Sequence, residues 1–187
     1  MKAKLFYSTI VFLMILIILM AAKGDTRSQE LYQINLSTNI NYELISSSQY
    51  SETYSIKNGA DGDDLTIWGS SINDSTPFYA LNTEGVEYIK LSKINIWFYD
   101  KFYAKKFILA GSDDMQNWTI SKPIVFKGGT YSVNLEEYNL NFKYIALSVI
   151  EKNSSALGIQ EFEVYGLTDN APTPTPIVGP KPTCTPC

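Results

Sequence analysis

The sequence predicts an all-β fold, either a sandwich or a barrel of short strands. Apolar residues alternate with polar ones along segments such as Val86–Leu91 and Ser92–Phe98, instead of recurring every three or four positions. Turn signals such as Asn58-Gly59 and Gly128-Gly129 separate these segments. Because the chain has 187 residues, it can hold one such domain together with terminal extensions.

The strand candidates follow one another along the chain at short intervals. Helical signals are weak, and Leu135–Leu140 is expected to form a single turn at most. The predicted strands are Tyr42–Ser46, Val86–Leu91, Ser92–Phe98, Lys106–Ala110, Ile124–Phe126, Tyr131–Leu135, Tyr144–Val149 and Phe162–Tyr165.

The N-terminal segment, residues 1–24, is predicted to be a signal peptide, which makes the protein extracellular. Two lysines, Lys2 and Lys4, precede the apolar run Leu5–Ala22, and Ala22-Lys23-Gly24 fits the small-residue rule for cleavage. The run is also nearly long enough to span a bilayer, so an uncleaved membrane anchor is the alternative.

Residues 25–38 form a predicted lead-in, residues 39–168 the predicted domain and residues 169–187 a linker or tail. From Ala171 onward proline alternates with threonine, which favours an extended, polyproline-like spacer. Such a spacer is typical of a multimodular protein, although a monomer that ends in a stalk fits as well. Cys184 and Cys187 have the C-x-x-C spacing, but a tail without a second pair makes this a weak redox or metal signal.

Composition excludes several functions. The chain has no histidine, which removes Ser-His-Asp and Cys-His catalysis and histidine-bound metals. Residues 25–170 contain 11 basic and 19 acidic side chains, a net charge of −8. An acidic body argues against nucleic acid as a partner and against adhesion to anionic lipid.

The loop Asn58–Trp68 is the one local constellation with evident chemistry. It holds three carboxylates, two glycines and a threonine, and calcium prefers such oxygen ligands on a tightly turning backbone. The loop is not an EF-hand, because Leu65 and Ile72 stand at the fifth and twelfth positions counted from Asp61. A solvated turn rich in aspartate is the alternative interpretation.

Four blocks of sequence occur in the order that one known family uses: Tyr42–Ser48, Asn58–Trp68, Lys106–Trp118 and Tyr144–Gly166. Together they make Asn39–Gly166 similar to a coagulation factor 5/8 type C (discoidin) domain. The likeness is to the bacterial branch grouped with family 32 carbohydrate-binding modules. In the third block Met115 stands where this family usually has glycine.

This resemblance implies an eight-stranded antiparallel jelly-roll β-sandwich of the galactose-binding-like fold, with a structural Ca²⁺ ion. The ion would tie the two ends of the sandwich together and would not catalyse. The implied ligands are backbone carbonyls of Asn58, Asp63 and Gln160, the carboxylates of Asp61 and Glu161, and the hydroxyl and carbonyl of Thr66.

The resemblance also implies that loops at one end of the sandwich bind ligand. A sugar needs an aromatic face and a few oriented polar groups. Tyr103 is the preferred stacking ring, with Asp100 and Asn153 as partners of sugar hydroxyls, while Trp68 and Trp118 are expected in the core. The full set of predicted ligand-binding residues is Asn73, Tyr99, Asp100, Lys101, Tyr103 and Asn153.

The leading functional hypothesis is a secreted, non-catalytic carbohydrate-binding module. The alternative is a cell-surface or protein adhesion module, because a fold alone does not fix its ligand. A glycosidase is disfavoured, since sequence neighbours such as Glu136-Glu137 and Asp113-Asp114 usually point apart. Galactose-type members of the family often present histidine and arginine, whereas Arg27, the sole arginine here, precedes the domain. The identity of the glycan therefore does not follow from the sequence.

Overall fold

Alternating segments pair into two antiparallel β-sheets in the computed structural model, which describes residues 30–38, 43–138 and 140–170. The predicted signal peptide and the proline-rich segment 171–187 lie outside these residues. Within them, no helix is long and apolar enough to cross a membrane.

Eleven strands and three short 3₁₀ helices make up the described residues, and eight of the strands have four residues or more. The 3₁₀ helices are Glu52–Tyr54, Ile56–Gly59 and Leu135–Tyr138. The strands are β1 (Tyr32–Asn35), β2 (Glu43–Ser46), β3 (Trp68–Gly69), β4 (Phe78–Asn82), β5 (Lys90–Phe98), β6 (Ala104–Ser112), β7 (Thr119–Ile120), β8 (Ile124–Val125), β9 (Thr130–Asn134), β10 (Tyr144–Lys152) and β11 (Gly158–Thr168).

One sheet has the strand order β1-β11-β5-β9, with β3 also paired to β11. The other has the order β2-β4-β10-β6-β7, with β8 also paired to β6. Apart from β6 and β7, the paired strands described are not consecutive in the chain, as expected for a sandwich with crossing connections. The predicted all-β, two-layered architecture is confirmed.

The core lies between the sheets and follows from the alternation of apolar residues. Ile94, Ile96 and Phe98 of β5 are buried, whereas the residues between them face outward. Trp68 is fully buried, as predicted, and its ring centroid lies 4.9 Å from that of Tyr79. Burying each large side chain of this kind stabilises the fold by about 1.5–3 kcal/mol.

Two predicted boundaries are wrong. The strand Val86–Leu91 begins only at Lys90, because Gly85 turns the chain at φ 87° and Val86 donates to the Thr83 carbonyl in that turn. The sandwich also starts before residue 39, since β1 of the supposed lead-in pairs with β11. In addition, β4 escaped prediction, although it lies between β2 and β10.

Trp118 was predicted to lie in the core, but it lies outside the main core. It is half-buried on the outer face of the second sheet, against the small side chains of Ala80, Ala110 and Ala146. Its indole N–H donates to the Met115 carbonyl over 3.1 Å. Met115 has φ 60°, in the left-handed region that glycine adopts more readily than other residues.

Candidate metal centre and binding cleft

The loop that joins the second 3₁₀ helix to β3 gathers oxygen atoms around the Thr66 hydroxyl. The Thr66 Oγ1 atom lies 3.2 Å from the Asn58 carbonyl oxygen, 3.1 Å from that of Asp63 and 2.9 Å from the nearer Asp61 carboxylate oxygen. A hydroxyl has one proton and can donate to only one of these acceptors. The cluster is therefore rich in acceptors and poor in donors.

Glu161 of β11 adds a second carboxylate to this cluster. Its side chain is only 3% exposed, and its Oε1 atom has no hydrogen-bond partner. Burial, together with the nearby Asp61 carboxylate, raises the pKa of the Glu161 carboxyl to about 7. Buried carboxylates that lack partners are costly, and a cation would offset that cost.

The oxygen cluster fits a hard divalent cation. No group of three or more Asp, Glu, Cys or His side chains in the described part of the chain could hold a metal. The charge would therefore come from Asp61 and Glu161 alone, completed by neutral carbonyl and hydroxyl oxygens, a combination that suits Ca²⁺.

Two side-chain amides hold the loop against its neighbours. The Asn58 amide donates to the Thr53 carbonyl at 2.9 Å and to the Ile67 carbonyl at 3.2 Å. The Gln160 amide donates to the Asp64 carbonyl at 2.7 Å and so ties the loop to β11. The predicted ligand residues thus lie close together, and their roles as metal ligands, that of the Gln160 carbonyl included, stay predictions.

A cleft of about 430 Å³ lies beside this cluster, and β3 connects the two. The cleft floor is the pair Gly69 and Gly158, which face each other where β3 meets β11. An added Cβ at Gly69 would lie 3.2 Å from the Tyr54 Cβ, and one at Gly158 would lie 3.0 Å from the Tyr99 Cβ. Both glycines are therefore needed for the walls to approach the floor.

Two aromatic pairs form walls of the cleft. Tyr50 and Tyr54 meet edge to face with centroids 5.7 Å apart, and Tyr99 and Phe102 are also 5.7 Å apart. Backbone hydrogen bonds tie both walls to the floor: Tyr50 N–H donates to the Gly69 carbonyl and Tyr99 N–H to the Gly158 carbonyl. Tyr50 is 56% exposed, so aromatic surface remains free for a ligand.

Only some of the predicted ligand-binding residues line this cleft. Tyr99 and Lys101 do. Asp100 and Asn73 are exposed but stand outside the lining. Tyr103, the preferred stacking ring, is half-buried against the core and faces a different concavity. Tyr103 follows the turn in which the Phe102 N–H donates to the Tyr99 carbonyl.

Asn153 makes hydrogen bonds within its own part of the fold, and its predicted contact with sugar stays a prediction. Its side-chain oxygen accepts from the Tyr103 N–H at 2.8 Å, and its amide donates to the Lys101 carbonyl at 3.1 Å. The amide is therefore occupied in holding the loop Tyr99–Tyr103, and it positions Lys101.

Four exposed large side chains of the cleft lining were not among the predicted ligand-binding residues: Tyr50, Tyr54, Ile72 and Phe102. All are at least 38% exposed, which is unusual for large apolar side chains in adjoining loops. Two tyrosines four positions apart in a short polar loop were the available signal, but only the structure shows that Tyr54 faces Tyr99 across the glycines.

No protein-family model matches the chain, and no curated protein matches it. Solved structures do. Chitosan-binding module 2 of a Paenibacillus sp. IK-5 chitosanase/glucanase, in complex with chitotriose, is 21% identical with a TM-score of 0.60; the match covers 71% of this chain and 100% of the module. The Clostridium perfringens family 32 module of NanJ, in complex with galactose, is 14% identical with a TM-score of 0.59, over 72% and 99%.

A third similar structure is CpGH89CBM32-5 from Clostridium perfringens, in complex with GalNAc-β-1,3-galactose. It is 16% identical with a TM-score of 0.58, over 70% of this chain and 99% of that one. The protein therefore has the β-sandwich fold of family 32 carbohydrate-binding modules, as the sequence blocks predicted.

Proposed function

We propose that the protein is a secreted, non-catalytic carbohydrate-binding module that holds a glycan in the cleft between its two aromatic walls. The observation that carries this proposal is the cleft itself: Tyr50 and Tyr54 face Tyr99 and Phe102 over a glycine floor. The solved structures of the same fold, in complex with chitotriose, galactose and GalNAc-β-1,3-galactose, support it.

The cleft offers the two kinds of contact that a sugar ring requires. Aromatic faces pack against the C–H groups of a pyranose, and polar groups at the rim bind its hydroxyls. Tyrosine side chains serve both needs, because each has an apolar ring and a polar hydroxyl. Lys101 supplies a further hydrogen-bond donor, and Asn153 holds the loop that carries it.

A structural Ca²⁺ ion is the second part of the proposal. The carboxylates of Asp61 and Glu161 would neutralise the charge of the ion. Oxygen atoms of Asn58, Asp63 and Thr66 would complete its coordination shell. When bound, the ion would neutralise the buried Glu161 carboxylate and the exposed Asp61 carboxylate beside it, and would join the loop before β3 to β11. Because β3 carries Gly69 and β11 carries Gly158, the bound ion and its ligands would also keep the cleft floor in place.

A glycan array with the purified protein, followed by titration of its hits, tests the proposal. Tyr54→Ala removes one wall ring and should weaken binding at least about tenfold, since aromatic anchors dominate such sites. Tyr103→Phe is the matched control, because Tyr103 lies outside the cleft lining, and it should bind like the original protein. Absence of binding to every glycan would overturn the proposal in favour of an adhesion module.

A further inference from the structure

A second concavity, of about 360 Å³, lies beside the loop that carries the cleft residues, and its lining is basic. Three lysines, Lys105, Lys106 and Lys127, line it together with one acid, Glu151. Tyr103, Val125 and Phe126 complete the lining. This local charge is positive on a body whose net charge is −8.

An irregular strand pairing explains how two consecutive lysines reach this surface. Phe107 pairs with Val149 in the regular ladder, but Lys106 pairs with Glu151 and Ala104 with Lys152. These register shifts leave Lys105 without a partner in the ladder, so both lysines turn away from the core. Bulges of this kind often re-aim side chains beside binding sites.

The third lysine is brought in by the segment after β8. Phe126 N–H donates to the Lys105 carbonyl at 2.8 Å, which places Lys127 next to the bulge. Gly128 then turns at φ 106° and packs against the Tyr103 ring. The backbone therefore fixes the base of all three lysines.

Most of the positive charge in this concavity is uncompensated. Lys105 lies 3.6 Å from Glu151 in an exposed ion pair. Within the described part of the chain, Lys106 and Lys127 form no such pair. Two cationic side chains beside aromatic rings are suited to an anionic group on a partner.

The cleft shares this preference for an anionic group, because among the described residues Lys101 is the single charged one in its lining and no carboxylate lines it. The strand and loop from Tyr99 to Lys106 contribute to both surfaces. We infer that the glycan is an anionic polysaccharide, carboxylated or sulfated, whose rings occupy the cleft while its acidic groups contact Lys106 and Lys127. This inference rests on the proposed function and names its substrate class.

An anionic membrane is a poorer match for the same lysines. The body as a whole is acidic, so a flat anionic surface would be repelled over most of the contact area. A polysaccharide chain would contact only the cleft and the concavity lined by the three lysines, and would avoid this repulsion.

The test compares the full-length protein on matched polymers: polygalacturonate against its methyl ester, dextran sulfate against dextran, and chitosan as a cation. We expect at least about tenfold tighter binding to the anionic member of one pair and no binding to chitosan. This preference should fall steeply between about 20 and 200 mM salt, because salt screens exposed charges. The carboxylated and sulfated pairs separate the two sources of negative charge.

Paired variants locate the effect. Lys106→Gln with Lys127→Gln should lower affinity for the anionic polymer about fivefold and leave binding to the neutral polymer unchanged. The double variant Lys57→Gln with Lys143→Gln removes the same charge elsewhere. It should change neither the affinity for the anionic polymer nor that for the neutral polymer.

Equal affinity within every pair, with binding to neutral glycans retained, would overturn the inference and leave the proposed function standing. Failure to bind any polymer or any array glycan would overturn both. Binding to phosphatidylserine vesicles without binding to polysaccharide would also overturn the inference, in favour of a membrane.

Discussion

The oxygen cluster and the aromatic cleft are neighbours on β3 and β11, yet they present opposite chemistry. The cluster buries Glu161 to 3% exposure beside Asp61 and leaves one carboxylate oxygen without a partner. The cleft exposes Tyr50 to 56% and has few charged groups. The oxygen cluster thus has excess negative charge, and the cleft has exposed aromatic surface.

This difference separates their roles. A buried acid with a second carboxylate beside it affects the folded state of the whole domain, because its cost is incurred on folding. An exposed aromatic surface costs little in the free protein and acts when a ligand covers it. The cluster is therefore expected to control stability and the cleft to control affinity, and the following changes test that division in order of expected effect.

The largest effect should come from calcium on stability. Ca²⁺ at one hundred times its dissociation constant should stabilise the protein by about 2.7 kcal/mol, which raises its Tm by roughly 10 °C. Asp61→Asn should abolish this rise, as measured by thermal unfolding with Ca²⁺ and with chelator. Asp64→Asn is the control in the same loop, because its carboxylate lies outside the cluster, and it should retain the rise. An identical melting curve with chelator and with calcium would contradict the metal assignment.

The next effect concerns the cleft floor. Gly158→Ala puts a Cβ 3.0 Å from the Tyr99 Cβ and should displace this wall ring. Overpacking of this kind costs about 1–3 kcal/mol of stability, and glycan affinity should fall about tenfold with it. Calorimetric titration measures the affinity.

Gly166→Ala is the matched control for this change. Its Cβ would also lie 3.0 Å from a tyrosine Cβ, that of Tyr88, at the far end of the same strand. Stability should fall by a similar amount while affinity stays unchanged. Equal losses of affinity in both variants would mean that the cleft responds to general destabilisation and not to its own floor.

A smaller effect is expected at Asn153. Asn153→Ala removes the hydrogen bonds to the Tyr103 N–H and the Lys101 carbonyl, and should cost about 1–3 kcal/mol of unfolding free energy. Asn153→Asp keeps the acceptor for Tyr103 N–H and should recover part of that stability. If Asn153 instead contacted sugar directly, Asn153→Ala would lower affinity without lowering the melting temperature.

The smallest effect serves as a reference outside both sites. Backbone N–H groups of Asn117 and Gln116 hold the pKa of Asp114 well below its ordinary value of 3.8. A lowered folded-state pKa stabilises the protein above pH 3.8, and this stabilisation is lost as the pH falls below that value. The difference in unfolding free energy between the original protein and Asp114→Asn should therefore shrink below pH 3.8. It should not depend on calcium or glycan, and a dependence on either would break the division between the sites.

The sequence predicted the cluster better than the cleft for a physical reason. Asn58, Asp61, Asp63 and Thr66 lie within nine residues of one loop, so their spacing in the chain already constrains their distances. The cleft combines loops that are a hundred residues apart in the chain. Its walls depend on which way each tyrosine turns within its loop, and neither these directions nor the register shifts of β6 could be located from sequence.

The most direct test of the central claim, that the glycine-floored cleft is the binding surface, is an NMR titration of the ¹⁵N-labelled protein with a glycan from the array. The amide signals of Gly69 and Gly158 and the ring signals of Tyr54 and Tyr99 should shift together and saturate at the calorimetric affinity. Shifts confined to other surfaces, with these four residues unchanged, would contradict the account.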